Sequence, residues 1–261
     1  MAKDGRLERQ IRIDQVRELQ GRLAYKAFEN GRRVVLILEP EKMNPSTANA
    51  LLKTLEEPGE ATHFILVSQA PQRLLPTILS RCQRIQFSPL AKSLVMNFLV
   101  EEAEVTAEEA EGVAALSEGS LGLGLQIVEE AILAEREDLF SLVESSARPD
   151  SWARALDWAE SYARPDQRGR LPLIFHLLRT WQRDVLLAAS GAADDHCVHA
   201  DRLPQIKAVA RRKNVAQCFA GLARINDAEQ AIFERMGNAR LVLESMLLTL
   251  LPLTEQGRHT A

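Results

Sequence analysis

The sequence predicts an α/β domain followed by two all-α domains. Three observations carry that expectation. Between residues 32 and 88, short apolar runs rich in β-branched residues alternate with a helix-spaced segment, the pattern of strand–helix–strand units in a parallel sheet. After Pro89 the strand signals stop, and helix-spaced apolar residues continue to Leu253. The composition is 46% hydrophobic but only 5% aromatic, with abundant Leu and Ala, which leans towards helices. A chain of 261 residues has room for two or three domains.

Each element has its own signal. IRIDQVRELQGRLAYKAFENG (11–31) opens with alternation at Ile11 and Ile13. Asp14 is then placed to cap a helix carrying Val16, Leu19, Leu23 and Ala27, and Asn30-Gly31 is its stop. Val34 to Leu38 is a continuous apolar run bounded by charge, as in a strand buried on both faces. In NPSTANALLKTLEEPG (44–59), Asn44 is the N-cap candidate and Pro45 the first helical residue. Ala48, Leu51, Leu52 and Leu55 form its apolar stripe, and Pro58-Gly59 ends it. THFILVSQAP (62–71) reads as a second buried strand, with its core at 63–67. A short helix starting at Pro76 follows, and alternation over Arg84-Ile85-Gln86-Phe87 predicts a third strand.

Beyond Pro89 the spacing predicts helices over 91–102, 106–117 and 120–135, with Gly119 as a break. SARPDS (146–151) is the linker candidate. Further helices are predicted over 151–163, 171–190, 204–210, 214–235 and 238–251. The expected domain boundaries are 1–88, 89–147 and 148–261.

Composition excludes several functional classes. No apolar run approaches the ~20 residues of a membrane span. MAKDGRLERQ is charged throughout and has no export-signal core, so the expected location is cytoplasmic. The net charge of −4 advertises no general attraction to nucleic acid. Cys82, Cys197 and Cys218 are too dispersed for a disulfide framework or a zinc site. Asp194-Asp195-His196-Cys197-Val198-His199 has metal-ligand residue types without a known ligand spacing. Arg211-Arg212-Lys213 is either a phosphate-binding cluster or a solvated helix start. Trp152, Trp158 and Trp181 fall at helical positions where core packing is expected, and Cys82 reads as a small packing residue.

VVLILEPEKMN, ANALLKTLEEP and THFILVSQAPQRLLPTILSRC, in that order, resemble the AAA+ domain of bacterial clamp-loader subunits, most closely the delta-prime branch. IRIDQVREL (11–19) and NARLVLESMLLTL (238–250) look like the same branch. These motifs cover roughly a third of the chain. The resemblance implies a partial AAA+ α/β domain (1–88), a helical lid (89–147) and a helical collar that mediates oligomerisation (148–261). It also implies partners: gamma/tau-type and delta-type subunits in a hetero-pentamer that uses ATP to load a sliding clamp on primed DNA. The family's P-loop strand and zinc cysteines belong upstream of Ile11. The expectation is therefore a chain without them, holding no metal, and poorly folded over 11–88 when expressed alone.

Nucleotide hydrolysis on this fold needs a phosphate cradle, a metal-holding carboxylate, a water-orienting group and a balancing cation. No G-x-x-x-x-G-K-[ST] cradle occurs; Lys53-Thr54 sits mid-helix without a glycine loop. By resemblance, the metal-binding acid falls on Leu38, which cannot ligate magnesium, and the second acid falls on Glu39. Glu39 is then either a remnant of the acid pair or a plain strand-end charge. Ser68 falls on a polar sensor of the γ-phosphate, or simply opens a turn. Gly122, in GSLGLGLQI (119–127), falls where active relatives carry a sensor arginine. Against these substitutions, the Ser80-Arg81-Cys82 motif is intact. The resemblance implies that Arg81 points into the ATP site of the next subunit. A guanidinium suits that role because it is planar, always charged and bidentate towards phosphate oxygens. The alternative for Arg81 is a structural pair with a nearby carboxylate.

Three readings follow. The first is a non-hydrolysing, stator-like subunit that binds no cofactor itself and lends Arg81 to a neighbour holding ATP and magnesium. The second is a truncated ATP-hydrolysing subunit of gamma/tau type, against which Leu38 and Gly122 speak. The third is a purely structural helical oligomerisation protein, against which the intact motif speaks.

Overall fold

A computed structural model describes residues 10–24, 31–59, 61–144 and 149–251. The chain divides into two compact units, Met1–Phe87 and Ser88–Ala261. The expected lid–collar boundary at 147/148 lies outside the described residues, as do Ala27 and Asn30 of the first expected helix.

In the first unit, Ile11 makes one parallel bridge to Met43, its N–H donating to Lys42 O at 3.2 Å. Helix α1 (Ile13–Ala24) follows. Its start corrects the expectation for Asp14. The helix begins one residue earlier, and Gln15 Oε1 accepts the Arg12 N–H at 2.7 Å. A longer side chain from inside the first turn thus reaches back to an orphan donor, while Asp14 lies beside Arg17 at 3.8 Å.

Strand β1 (Arg33–Leu38) leads into α2 (Pro45–Glu56), then strand β2 (Thr62–Val67). The strands pair in parallel, from Arg33↔Thr62 to Leu38↔Val67. Helix α2 is the crossover that a parallel pair requires. Asn44 Oδ1 caps it by accepting the Thr47 N–H at 2.8 Å, and Pro45 occupies its first position. It ends at Glu56 because Glu57 precedes Pro58 and is disfavoured in the α region. Ala48 and Leu51 of its stripe are buried. Gln20 binds α1 to α2, its Nε2 donating to Ala50 O at 2.8 Å and to Thr54 Oγ1 at 2.9 Å. The unit closes with α3 (Pro76–Leu79), started by Pro76 as expected and anchored by buried Ile78.

Two strand expectations are corrected. β1 and β2 are not buried on both faces: Val34, Leu36, Leu38, Ile65 and Val67 are exposed, and only the alternate residues are covered. A short apolar run announces a strand, but not the number of layers packed on it. Residues 84–87 form no strand; Ile85 and Phe87 are 72% and 90% exposed. Alternation defines two faces, whereas a strand also needs a hydrogen-bonding neighbour. Among the described residues the sheet is β1–β2 alone.

The second unit is helical: α4 (Lys92–Glu102), α5 (Ala107–Leu116), α6 (Leu121–Glu129), α7 (Ile132–Glu144), α8 (Pro149–Tyr162), α9 (Leu171–Ser190), α10 (Leu203–Ala210), α11 (Val215–Phe233) and α12 (Ala239–Leu250). The single helix expected over 120–135 is broken at Ala131, whose φ is 49°. In one continuous helix Ile127 and Ile132 would lie about 140° apart. The break lets both reach the core, where each is buried. Gly119 sits at a φ of 84° beside the incoming chain: Leu90 N–H donates to Gly119 O at 3.0 Å, and a Cβ there would lie 2.6 Å from Leu90 O.

One apolar cluster runs from Val95 to Leu251. Its centre is α9, where Trp181 packs on Phe140 at a ring-centroid distance of 4.3 Å. Trp158 stacks on Tyr162, also at 4.3 Å. Trp152 departs from the expected core role and is 43% exposed.

Candidate functional site

Arg81 emerges where α3 ends. Pro76 fixes the first turn, Ile78 buries its side chain, and the Arg81 N–H donates to Ile78 O at 3.0 Å. Its guanidinium is partly exposed and folded back on the same unit. Nε donates to Glu56 Oε1 at 2.6 Å, and Nη2 donates to the same oxygen. Nη1 donates to Thr77 O at 2.9 Å and to Ser80 Oγ at 3.2 Å. Ser80 Oγ in turn donates to Thr77 O at 3.1 Å. Ser80 therefore helps hold the arginine, and Cys82 is half-buried with its thiol pushed up by burial. A thiol held protonated packs rather than reacts.

The four positions assigned to a nucleotide site of the chain's own lie as follows. Leu38, at the end of β1, presents an exposed apolar side chain. Glu39 adopts the left-handed conformation (φ 52°, ψ 52°), uncommon for a residue with a side chain. Its N–H donates to Val67 O at 2.9 Å, and its carboxylate pairs with Lys42 at 2.6 Å. Ser68 donates its hydroxyl to Glu41 Oε2 at 2.6 Å and accepts the Ala70 N–H at 3.1 Å. Glu41 also accepts the Gln69 N–H at 3.3 Å. Burial alone would raise the Glu41 carboxyl, but these hydrogen bonds hold it below the usual carboxylate range. Gly122 is in the first turn of α6 in the other unit, and a Cβ there would meet nothing within 4 Å.

These residues do not fit a magnesium–nucleotide site. Leu38 offers no oxygen, Glu39 is neutralised by Lys42, and the Ser68 proton is committed to Glu41. No group of three or more metal-ligating side chains occurs among the described residues. Sequence reasoning missed Glu41 and Glu56, because both lie in charged stretches that resemble ordinary solvated turns and helix ends.

The segment 194–199 is built differently from a metal loop. His199 is fully buried, with its ring edge-on to Phe140 at 4.8 Å and Nε2 3.0 Å from Thr180 Oγ1. Its N–H donates to buried Asp184 Oδ2 at 2.8 Å. Burial and the nearby cations of Arg136 and Arg183 push the imidazole down to about 3. The basic run 211–213 is also not uniformly solvated. Lys213 turns inward and donates to Leu250 O at 3.2 Å, and burial lowers its ammonium.

Two family models match the chain. One is described as DNA polymerase III, delta subunit, and matches residues 2–91. The other is described as DNA polymerase III, delta subunit, C terminal, and matches residues 132–251. DNA polymerase III subunit delta' of Pseudomonas aeruginosa is 32% identical over 244 residues, covering 92% of this chain and 72% of that protein. The Escherichia coli subunit delta' is 31% identical over 184 residues, covering 69% of this chain and 52% of its own length. Among solved structures, a gamma subunit-related protein of DNA polymerase III from Thermotoga maritima aligns at 19% identity and a TM-score of 0.45, covering 96% of this chain and 81% of that one. On the strength of the delta-prime match along nearly its whole length, the chain belongs to the delta-prime subunit family of DNA polymerase III.

Proposed function

We propose that the chain acts as a non-hydrolysing, stator-like subunit of the DNA polymerase III clamp loader and supplies Arg81 to the ATP site of a neighbouring subunit. The observation that carries this reading is the contrast within one unit. Arg81 stands in an intact Ser80-Arg81-Cys82 motif just after α3, while Leu38, Glu39 and Ser68 are unsuited to a nucleotide site of their own. The partners would be gamma/tau-type and delta-type subunits in a hetero-pentamer. ATP and magnesium would be held by the neighbour, and the sliding clamp and primed DNA engaged through the complex, in the cytoplasm.

Arg81 would act by placing a fixed positive charge against the oxygens of the transferring phosphoryl group. An arginine finger supplied in trans contributes ~10³–10⁵ in rate. The same features favour this reading over a truncated gamma/tau-type ATPase, since Leu38 would leave magnesium without its ligand. Membership of the delta-prime family favours it over an unrelated structural protein.

The test is ATP turnover by the reconstituted loader, with clamp and primed DNA, using wild type and Arg81→Ala. Turnover at the neighbouring site is expected to fall by at least about 10³ with assembly unchanged. Unaltered turnover in a fully assembled loader would sink the finger reading.

A further inference from the structure

We infer that Glu56 is a latch for Arg81, a positioning residue that holds the guanidinium in its own subunit and must release it for the finger to act. This inference rests on the finger reading above. A guanidinium has five N–H donors. Nε and one of the two Nη2 N–H groups go to Glu56 Oε1, and the two Nη1 N–H groups go to Thr77 O and Ser80 Oγ. A phosphate oxygen pair is recognised by two parallel N–H groups on one edge of the plane. The Nε–Nη2 edge is taken by the carboxylate, and Nη1, on the other edge, already has two acceptors. In this arrangement Arg81 has no complete edge to offer a second anion.

The latch is built to open. Glu56 is the last residue of α2, where the chain is about to leave the helix at Glu57-Pro58, and its side chain is 47% exposed. Arg81 reaches it from the end of α3, with an exposure of 34%. A pair so open to water is weak, and its strength falls further with salt. The Thr77 and Ser80 acceptors lie on the same turn as Arg81 and can move with it, whereas Glu56 is 25 residues away on another helix. Glu56 is therefore the contact that ties the guanidinium back. A nucleotide phosphate on an apposed subunit carries more negative charge than one carboxylate and can displace it. The state with the latch closed is the one in which the finger is withheld, so the pair sets how much hydrolysis occurs before clamp and DNA arrive.

The experiment compares wild type, Glu56→Gln, Glu56→Ala, Arg81→Ala and the Glu56→Gln/Arg81→Ala double variant, each in the reconstituted loader. ATP turnover is measured without and with clamp and primed DNA. Weakening an exposed pair corresponds to about a two- to fivefold change. Glu56→Gln and Glu56→Ala are expected to raise the basal rate by that factor and leave the stimulated rate close to wild type. The stimulated-to-basal ratio should then shrink, which loss of fold would not produce. The double variant should match Arg81→Ala alone. Basal rates unchanged or lowered by both Glu56 variants, with Arg81→Ala still damaging, would overturn the latch and spare the finger. An Arg81→Ala loader with wild-type turnover would remove the finger, and the latch with it.

Discussion

Acidification should weaken the helical unit through a single imidazole. His199 is fully buried among Phe140, Trp181 and Thr180, and its folded-state value is about 3 against an ordinary 6.5. A depressed value in the native state means that the unfolded chain binds the extra proton. This stability term is whole above about pH 6.5 and is lost progressively as pH falls towards 3. At pH 5 the unfolded imidazole is protonated about thirty to one while the native one stays neutral, a loss of about 2 kcal/mol relative to pH 7.5. Burial raises the carboxyls of Asp184 and Glu144, so their native forms hold protons more readily and oppose this trend. The quantity to read is therefore a difference between proteins. Urea unfolding at pH 7.5 and pH 5, followed by tryptophan fluorescence, is compared for wild type and His199→Gln. The variant is expected to be less stable at pH 7.5, having lost a packed ring, and to close the gap by about 2 kcal/mol at pH 5. A gap independent of pH would refute the claim that a neutral His199 is an acid-sensitive element of this core.

Two further outcomes are expected. Asn214→Ala removes the side-chain half of a capping box, in which Asn214 Oδ1 accepts the Gln217 N–H, and leaves the backbone half, in which Gln217 Oε1 accepts the residue-214 N–H, each at 2.9 Å. It should lower the urea-unfolding free energy by about 1 kcal/mol, whereas Asn214→Ser should nearly preserve it. Gly119→Ala forces a Cβ against the Leu90 backbone at a positive φ. It should destabilise the unit by more than the ~1 kcal/mol of strain alone, seen as earlier hydrogen exchange at the Leu90 amide.

The parts of the fold written in local chemistry were legible in the sequence. Asn44 and Pro45 mark the start of α2 because a cap and a fixed φ act within one turn. Leu171–Ser190 was readable to the residue, since Gly191 supplies the left-handed exit at φ 76°. What needed three dimensions was not legible. Ala131 looks like any helix former, and its reversal is visible only when Ile127 and Ile132 must share one core. The alternation at 84–87 carried no information about a pairing partner. At the candidate site, Arg81 makes the carboxylate pair that was the alternative to its finger role, with a partner 25 residues away that had no local signature.

Gly122 has a consequence for how such a chain can change over generations. Its position in α6 is open, and no side chain or backbone would have to move to admit a Cβ. A glycine inside a helix is less favourable than alanine by up to ~1 kcal/mol, so here the fold draws no packing advantage from keeping it. A larger residue at this point meets no obstacle at its Cβ. A lineage could replace this glycine by a better helix former with a small gain in stability and no packing cost at the Cβ.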